Sequence, residues 1–111
     1  MSAADVPVEI SVTALQQMRS SGTSPMVLDV REDDEVAIAS FAGATHIPMN
    51  EIPSRLGELP RDRDIIVLCH SGGRSSVVAG YLRSNGFARV ANLLGGIDDW
   101  SQQIDPTVPR Y

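Results

Sequence analysis

A chain of 111 residues, 42% hydrophobic and 21% charged, has the size and composition of one globular domain and leaves little room for a second. Its net charge is −5 and its nine basic residues, all arginine, are scattered rather than gathered into a stripe, which argues against direct nucleic-acid binding. A single cysteine excludes an internal disulfide and a cysteine-based metal site.

Met1 to Pro7 lacks the basic and apolar pattern of a secretory leader, and no apolar run approaches the ~20 residues that span a bilayer. No membrane partner is therefore expected. A cytoplasmic location is expected too, because a lone working thiol oxidises readily outside a reducing compartment.

In chain order, Val8-Glu9-Ile10 predicts a short strand. Ser11 then caps a helix that carries Val12, Leu15 and Met18 on one face and stops at Gly22. Pro25 opens a second strand from Met26 to Val30, so the chain begins in α/β fashion. Asp29 and Arg31 stand at the carboxyl end of that strand, the edge where open parallel sheets gather their ligands. The competing reading of the two charges is a surface ion pair of little consequence.

Glu32-Asp33-Asp34-Glu35 starts a short helix, where negative side chains are favoured, and is expected to be a solvated face rather than a metal site. His46 sits in a short strand, Thr45 to Ile47, and is expected to be structural. Asn50 is placed to cap a helix with Ile52, Leu56 and Leu59 on one side, ended by Pro60.

Ile65 to Leu68 has no polar alternation, which suits a central parallel strand covered on both faces. The loop Cys69-His70-Ser71-Gly72-Gly73-Arg74-Ser75 follows, and Ser76 to Ser84 predicts a helix with Val77, Val78, Tyr81 and Leu82 on its apolar side. Gly80 is costly in a helix interior and is expected to allow close packing under the loop. Val90 to Leu94 is the last strand. Gly95-Gly96 forms a turn, and Ile97, Trp100 and Ile104 mark the final helix, with Trp100 a core anchor. Asp105 to Tyr111, with two prolines, reads as an extended tail packed on the body.

The cysteine loop is the stretch that carries chemistry. Two glycines permit turn conformations in which successive N–H groups converge, the helix that follows adds its unpaired first-turn N–H groups, and Arg74 adds a permanent charge. A sulfur in such a cradle ionises more readily than a free cysteine, and thiolate is the nucleophilic form. A cysteine that merely ended a core strand would have no use for an anion cradle.

The order of motifs resembles the rhodanese-like (sulfurtransferase) domains: Leu28-Asp29-Val30-Arg31-Glu32, then Gly43-Ala44-Thr45-His46-Ile47-Pro48, then Cys69 to Ser75, then Asn92-Leu93-Leu94-Gly95-Gly96-Ile97 with Trp100. The likeness covers nearly the whole chain, as one domain over 1–111 with 1–7 and 105–111 as terminal extensions. Ala39-Ser40-Phe41-Ala42 departs from the Gly-His-Ile-Pro pattern usual there, so no role of that histidine is carried over. The resemblance implies an α/β fold with a central, mainly parallel five-stranded sheet and helices on both faces.

It also implies sulfur transfer without a cofactor or metal. Cys69 would attack the sulfane sulfur of thiosulfate or a persulfide donor and pass it to a thiol or cyanide acceptor. His70, Ser71, Gly72, Gly73, Arg74 and Ser75 would bind the donor, with Arg74 steering its negative charge, and Asp29 and Arg31 would brace the region. A persulfide carrier fed by a protein donor is the alternative. A cysteine-dependent phosphatase or arsenate reductase is disfavoured, because only four residues separate Cys69 from Arg74 and Ser75 stands where the longer loop needs arginine.

Overall fold

A computed structural model describes residues 8–23 and 25–111. The expectation about a leader at Met1 to Pro7 lies outside the described residues. Among the described residues, ten elements follow one another: β1 (Glu9–Ile10), α1 (Val12–Ser20), β2 (Met26–Asp29), α2 (Asp33–Ile38), β3 (Thr45–His46), a 3-10 segment (Met49–Glu58), β4 (Ile65–Leu68), α3 (Gly73–Ser84), β5 (Val90–Leu93) and α4 (Gly96–Gln103). The strands form one sheet in the order β1-β5-β4-β2-β3, with every pairing parallel.

β4 is the middle strand, paired with β2 from Met26 opposite Ile65 to Asp29 opposite Leu68, and with β5 from Ile65 opposite Val90. All four of its residues are buried, as an unalternated apolar run between two covered faces should be. Because side chains alternate along a strand, Ile65, Val67 and Cys69 join the cluster under α3 and the 3-10 segment, while Ile66 and Leu68 join the one under α1 and α4. The strand therefore delivers the Cys69 side chain to the α3 face. Each fully buried aliphatic side chain contributes about 2 kcal/mol, so the two clusters hold the loop on a rigid base.

Local signals explain most boundaries. The Ser11 hydroxyl accepts the Ala14 N–H at 3.1 Å and starts α1. Glu32 and Glu35 form a reciprocal capping box at the head of α2. Trp100 is buried and packs its ring on Phe41 with centroids 4.9 Å apart. Phe41 belongs to the divergent segment, which Arg19 secures by donating to the Ala42 carbonyl at 2.7 Å.

Five expectations are corrected. Asn50 caps nothing: it lies exposed inside the 3-10 segment, whose cap is Pro48, and Pro53 within it withdraws the N–H that an α-helix would need. α3 begins at Gly73, three residues before the Ser76 that periodicity suggests, so Arg74 and Ser75 stand in its first turn. On α3 only Val78 and Leu82 of the four expected apolar residues are buried; Val77 is 61% exposed and Tyr81 is exposed too. Gly80 is exposed, and a methyl group there would meet nothing. The tail is not simply extended, since a turn at Asp105 brings Val108 N–H to the Asp105 carbonyl at 3.1 Å before the chain runs back to Tyr111.

Among the described residues, no helix is long and apolar enough to cross a membrane.

Candidate active site

The loop after β4 is shaped by two glycines, and they are not the adjacent pair the sequence draws attention to. Gly72 has φ 108°, in the left-handed region, and caps α3; a Cβ there would make only ordinary contact with Gly95 N and the Leu93 carbonyl, so the backbone angle is what requires glycine. Gly73 is already helical and open, so it carries no such constraint. The second constrained residue is Gly96, at φ 58°, where a side chain would collide with the Cys69 and His70 carbonyls.

That close approach lets the N-terminus of α4 hold the loop. Ile97 N–H donates to the Cys69 carbonyl and Asp98 N–H to the His70 carbonyl, each at 3.0 Å. In a trans peptide the carbonyl of one residue and the N–H of the next point in opposite directions. Pinning these two carbonyls toward α4 therefore turns the His70 and Ser71 N–H groups the other way, into the loop.

The Cys69 sulfur lies inside the resulting cradle, 3.1 Å from the Gly72 N–H and 3.3 Å from the Ser75 hydroxyl. Burial opposes its ionisation and is the largest single influence. The Ser75 hydroxyl and the N–H groups of Ser75, Gly72 and Ser71 together outweigh it, and the thiol lies below its ordinary range. The first turn of α3 adds the positive end of its dipole.

Ser75 is fully buried, and its hydroxyl also lies 2.5 Å from Asn92 Oδ1 on β5. A hydroxyl has one proton, so the sulfur and the Asn92 oxygen compete for it. The Asn92 amide in turn donates to the Gly72 carbonyl at 3.3 Å, tying the left-handed turn to the sheet. The sequence marked Asn92 only as the start of the Asn92 to Ile97 motif, with no role of its own; the available signal was a polar residue in an otherwise apolar strand, three residues before the Gly95-Gly96 turn.

Arg74 does not stand free to meet a ligand. Its two terminal nitrogens form a bidentate pair with Glu35, at 2.6 and 2.8 Å. Glu35 also accepts from the Glu32 N–H at 3.0 Å and from the Tyr111 hydroxyl at 3.1 Å. The Arg74 contact chiefly holds its carboxyl down at about 2, so it is ionised throughout the ordinary pH range. The expected solvated face is corrected to this extent: Glu32, Asp33 and Asp34 are exposed, but Glu35 turns inward. Four consecutive carboxylates concealed the one that matters.

Asp29 and Arg31 form a buried pair at 2.7 Å, with 2% and 0% of their side chains exposed, which overturns the surface-pair reading. All five Arg31 N–H donors are used: Asp29 takes Nε and one Nη2 hydrogen, the Ala39 carbonyl takes the other, and the Glu35 carbonyl and Tyr111 hydroxyl take Nη1. The pair thus reaches the cysteine loop at one remove, through Glu35 and Tyr111. The divergent Ala39 contributes its backbone carbonyl, which any residue could supply.

The Tyr111 ring stacks on His70, centroids 4.2 Å apart and planes within 16°. Burial raises its hydroxyl pKa despite Arg31 beside it. No pattern in the sequence marked Tyr111, because its position depends on the path of the tail. His46 donates through Nε2 to the Arg31 carbonyl at 2.7 Å, a bond that fixes its tautomer.

The chain matches the rhodanese-like domain over residues 11–103. It belongs to that family. A sulfurtransferase of Allochromatium vinosum is 37% identical over 100 residues, covering 90% of this chain and 94% of that protein. A Bacillus subtilis protein named "Putative sulfur carrier protein YrkF" is 39% identical over 103 residues, covering 93% of this chain but only 55% of its own length. Among solved structures, a rhodanese-like domain protein from Staphylococcus aureus superposes with a TM-score of 0.82 at 28% identity, over 95% of this chain and 99% of that one. The expected fold, a parallel five-stranded sheet with helices, is the one observed.

Proposed function

We propose that this rhodanese-like chain transfers sulfane sulfur through a persulfide on Cys69. The observation that carries the reading is the buried sulfur held by the Gly72 N–H and the Ser75 hydroxyl at the head of α3, an arrangement that favours thiolate and would equally hold a bound terminal sulfur. Sulfurtransferase and sulfur-carrier names among the relatives support the same chemistry.

Cys69 thiolate attacks the outer sulfur of thiosulfate or of a persulfide. A sulfur–sulfur bond forms to Cys69 as the donor's own breaks, and sulfite or a thiolate leaves with the electron pair. A thiolate or cyanide acceptor then takes the sulfur by the reverse displacement. The N–H groups from His70 to Ser75 hold the terminal sulfur, and Asp29 and Arg31 brace the surroundings through Glu35 and Tyr111. Neither cofactor nor metal enters the scheme, and a reducing compartment suits a lone working thiol.

The test is the intact mass of the chain and of Cys69→Ser after incubation with a sulfur donor and removal of the excess. A gain of about 32 Da on the unmodified chain alone, reversed by cyanide or a thiol, is the expected result. Equal gain on Cys69→Ser would place the sulfur elsewhere and end the proposal.

A further inference from the structure

Resting on the sulfur-transfer reading, we infer that Glu35 is a specificity determinant: by neutralising Arg74 it makes the site select organic hydropersulfides, R–S–SH, over dianionic thiosulfate. Arg74 carries the loop's permanent charge, and it is bound bidentately by Glu35. Arg31 is matched by Asp29 at 2.7 Å. Asp98, whose N–H holds the His70 carbonyl, is matched by Arg110 at 3.0 Å. These three cations around the loop thus meet three carboxylates, and the chain as a whole carries −5.

What remains to attract an anion is a set of N–H dipoles already engaged with the Cys69 thiolate. A donor bearing two negative charges must approach that thiolate with the guanidiniums of Arg74, Arg31 and Arg110 already matched by carboxylates. A hydropersulfide carries one negative charge at most and reacts through its protonated form, so this obstacle is smaller for it. Cys69–S⁻ attacks the outer sulfur of R–S–SH; the new bond gives Cys69–S–SH, R–S⁻ departs with the pair, and the proton stays on the transferred sulfur.

The surface next to the loop fits the organic half of such a donor. Val77 lies three residues after Arg74, on the same side of α3, and borders an apolar depression of about 160 Å³ with Met49, Ile52, Pro53, Val78 and Tyr81. On the loop itself the Tyr111 ring lies against His70. Thiosulfate has no carbon to place on either surface.

The experiment compares thiosulfate and benzyl hydropersulfide as donors, following sulfur gain on Cys69 by intact mass, in the unmodified chain and in Glu35→Gln. Glutamine keeps the capping-box acceptor and the shape but removes the charge. The hydropersulfide should load the unmodified chain at least about tenfold faster per unit concentration, and Glu35→Gln should shift the donor ratio about tenfold toward thiosulfate. A second reading needs no variant: thiosulfate loading of the unmodified chain should accelerate as salt is added, because screening relieves repulsion between like charges. Thiosulfate preferred by the unmodified chain, thiosulfate loading slowed by salt, or a donor ratio unmoved in a folded Glu35→Gln would each overturn the inference while leaving sulfur transfer intact. Sulfur gained from neither donor would overturn both.

Discussion

Replacing Ser75 by alanine tests whether the cradle, rather than burial alone, sets the state of the nucleophile. The hydroxyl is fully buried and lies 3.3 Å from the Cys69 sulfur. A hydrogen bond to a charged group contributes about 1.5–3 kcal/mol. The lower end applies here, because the contact is long and Asn92 Oδ1, at 2.5 Å, competes for the same proton. At about 1.4 kcal/mol per pKa unit, its loss should raise the thiol pKa by about one unit. The direction follows because the hydroxyl favours the anion and the burial that opposes it is unchanged. The assay is the pH dependence of alkylation by iodoacetamide, with Ser76→Ala as control for the same substitution one residue along α3, where the side chain is exposed. A midpoint in Ser75→Ala equal to or below that of the unmodified chain would refute the argument, as would an equal rise in Ser76→Ala.

Two further outcomes concern stability. Gly80→Ala, at an exposed helical position with nothing near the added methyl, should stabilise by about 1 kcal/mol and raise the thermal midpoint by several degrees; an unchanged or lower midpoint would show that α3 needs the glycine for another reason. Glu35 ionises at about 2 when folded and near its ordinary 4.5 when unfolded. Between those values the unfolded chain binds more protons, so the Glu35 contribution is complete above about 4.5 and disappears as pH falls toward 2. Urea unfolding of the unmodified chain and Glu35→Gln should therefore differ by about 2 kcal/mol near neutral pH, after allowance for the partly exposed Arg74, and converge on acidification. A gap independent of pH would mean the contact, not the charge, is what stabilises.

The elements that were legible in the sequence are those whose cause is local. Ile65 to Leu68 advertised a covered strand by its lack of polar alternation, and Ser11 announced α1 by the hydroxyl that accepts the Ala14 N–H. The 3-10 segment was misread because Ile52, Leu56 and Leu59 satisfy a helical period, while Pro48 and Pro53 decide the backbone. The cysteine loop was legible as an anion cradle, but the glycine that matters was not. Gly72 and Gly73 look alike in sequence, and only the backbone shows that the first is left-handed and the second is the start of a helix. Gly96 could be read as a turn, yet its necessity comes from the Cys69 and His70 carbonyls pressing on it, a contact across 26 residues of chain. Glu35 and Tyr111 are of the same kind, meeting Arg74 and His70 only once α2 and the tail are in place.

The division of labour at the site follows from these contacts. Side-chain charges around the loop are arranged in pairs, Asp29 with Arg31 and Glu35 with Arg74, so they fix positions while their fields largely cancel. Backbone dipoles are not cancelled in this way. Those of His70 and Ser71 are aimed by the hydrogen bonds from Ile97 and Asp98, and those of Gly72 and Ser75 by the turn into α3. Dipoles act over a short range and at a defined angle, whereas a free guanidinium attracts any anion from a distance. A sulfur held mainly by dipoles is favoured toward thiolate without drawing small anions in from a distance, and on the reading proposed above this leaves the carbon-bearing part of the donor, more than its charge, for the surface to recognise.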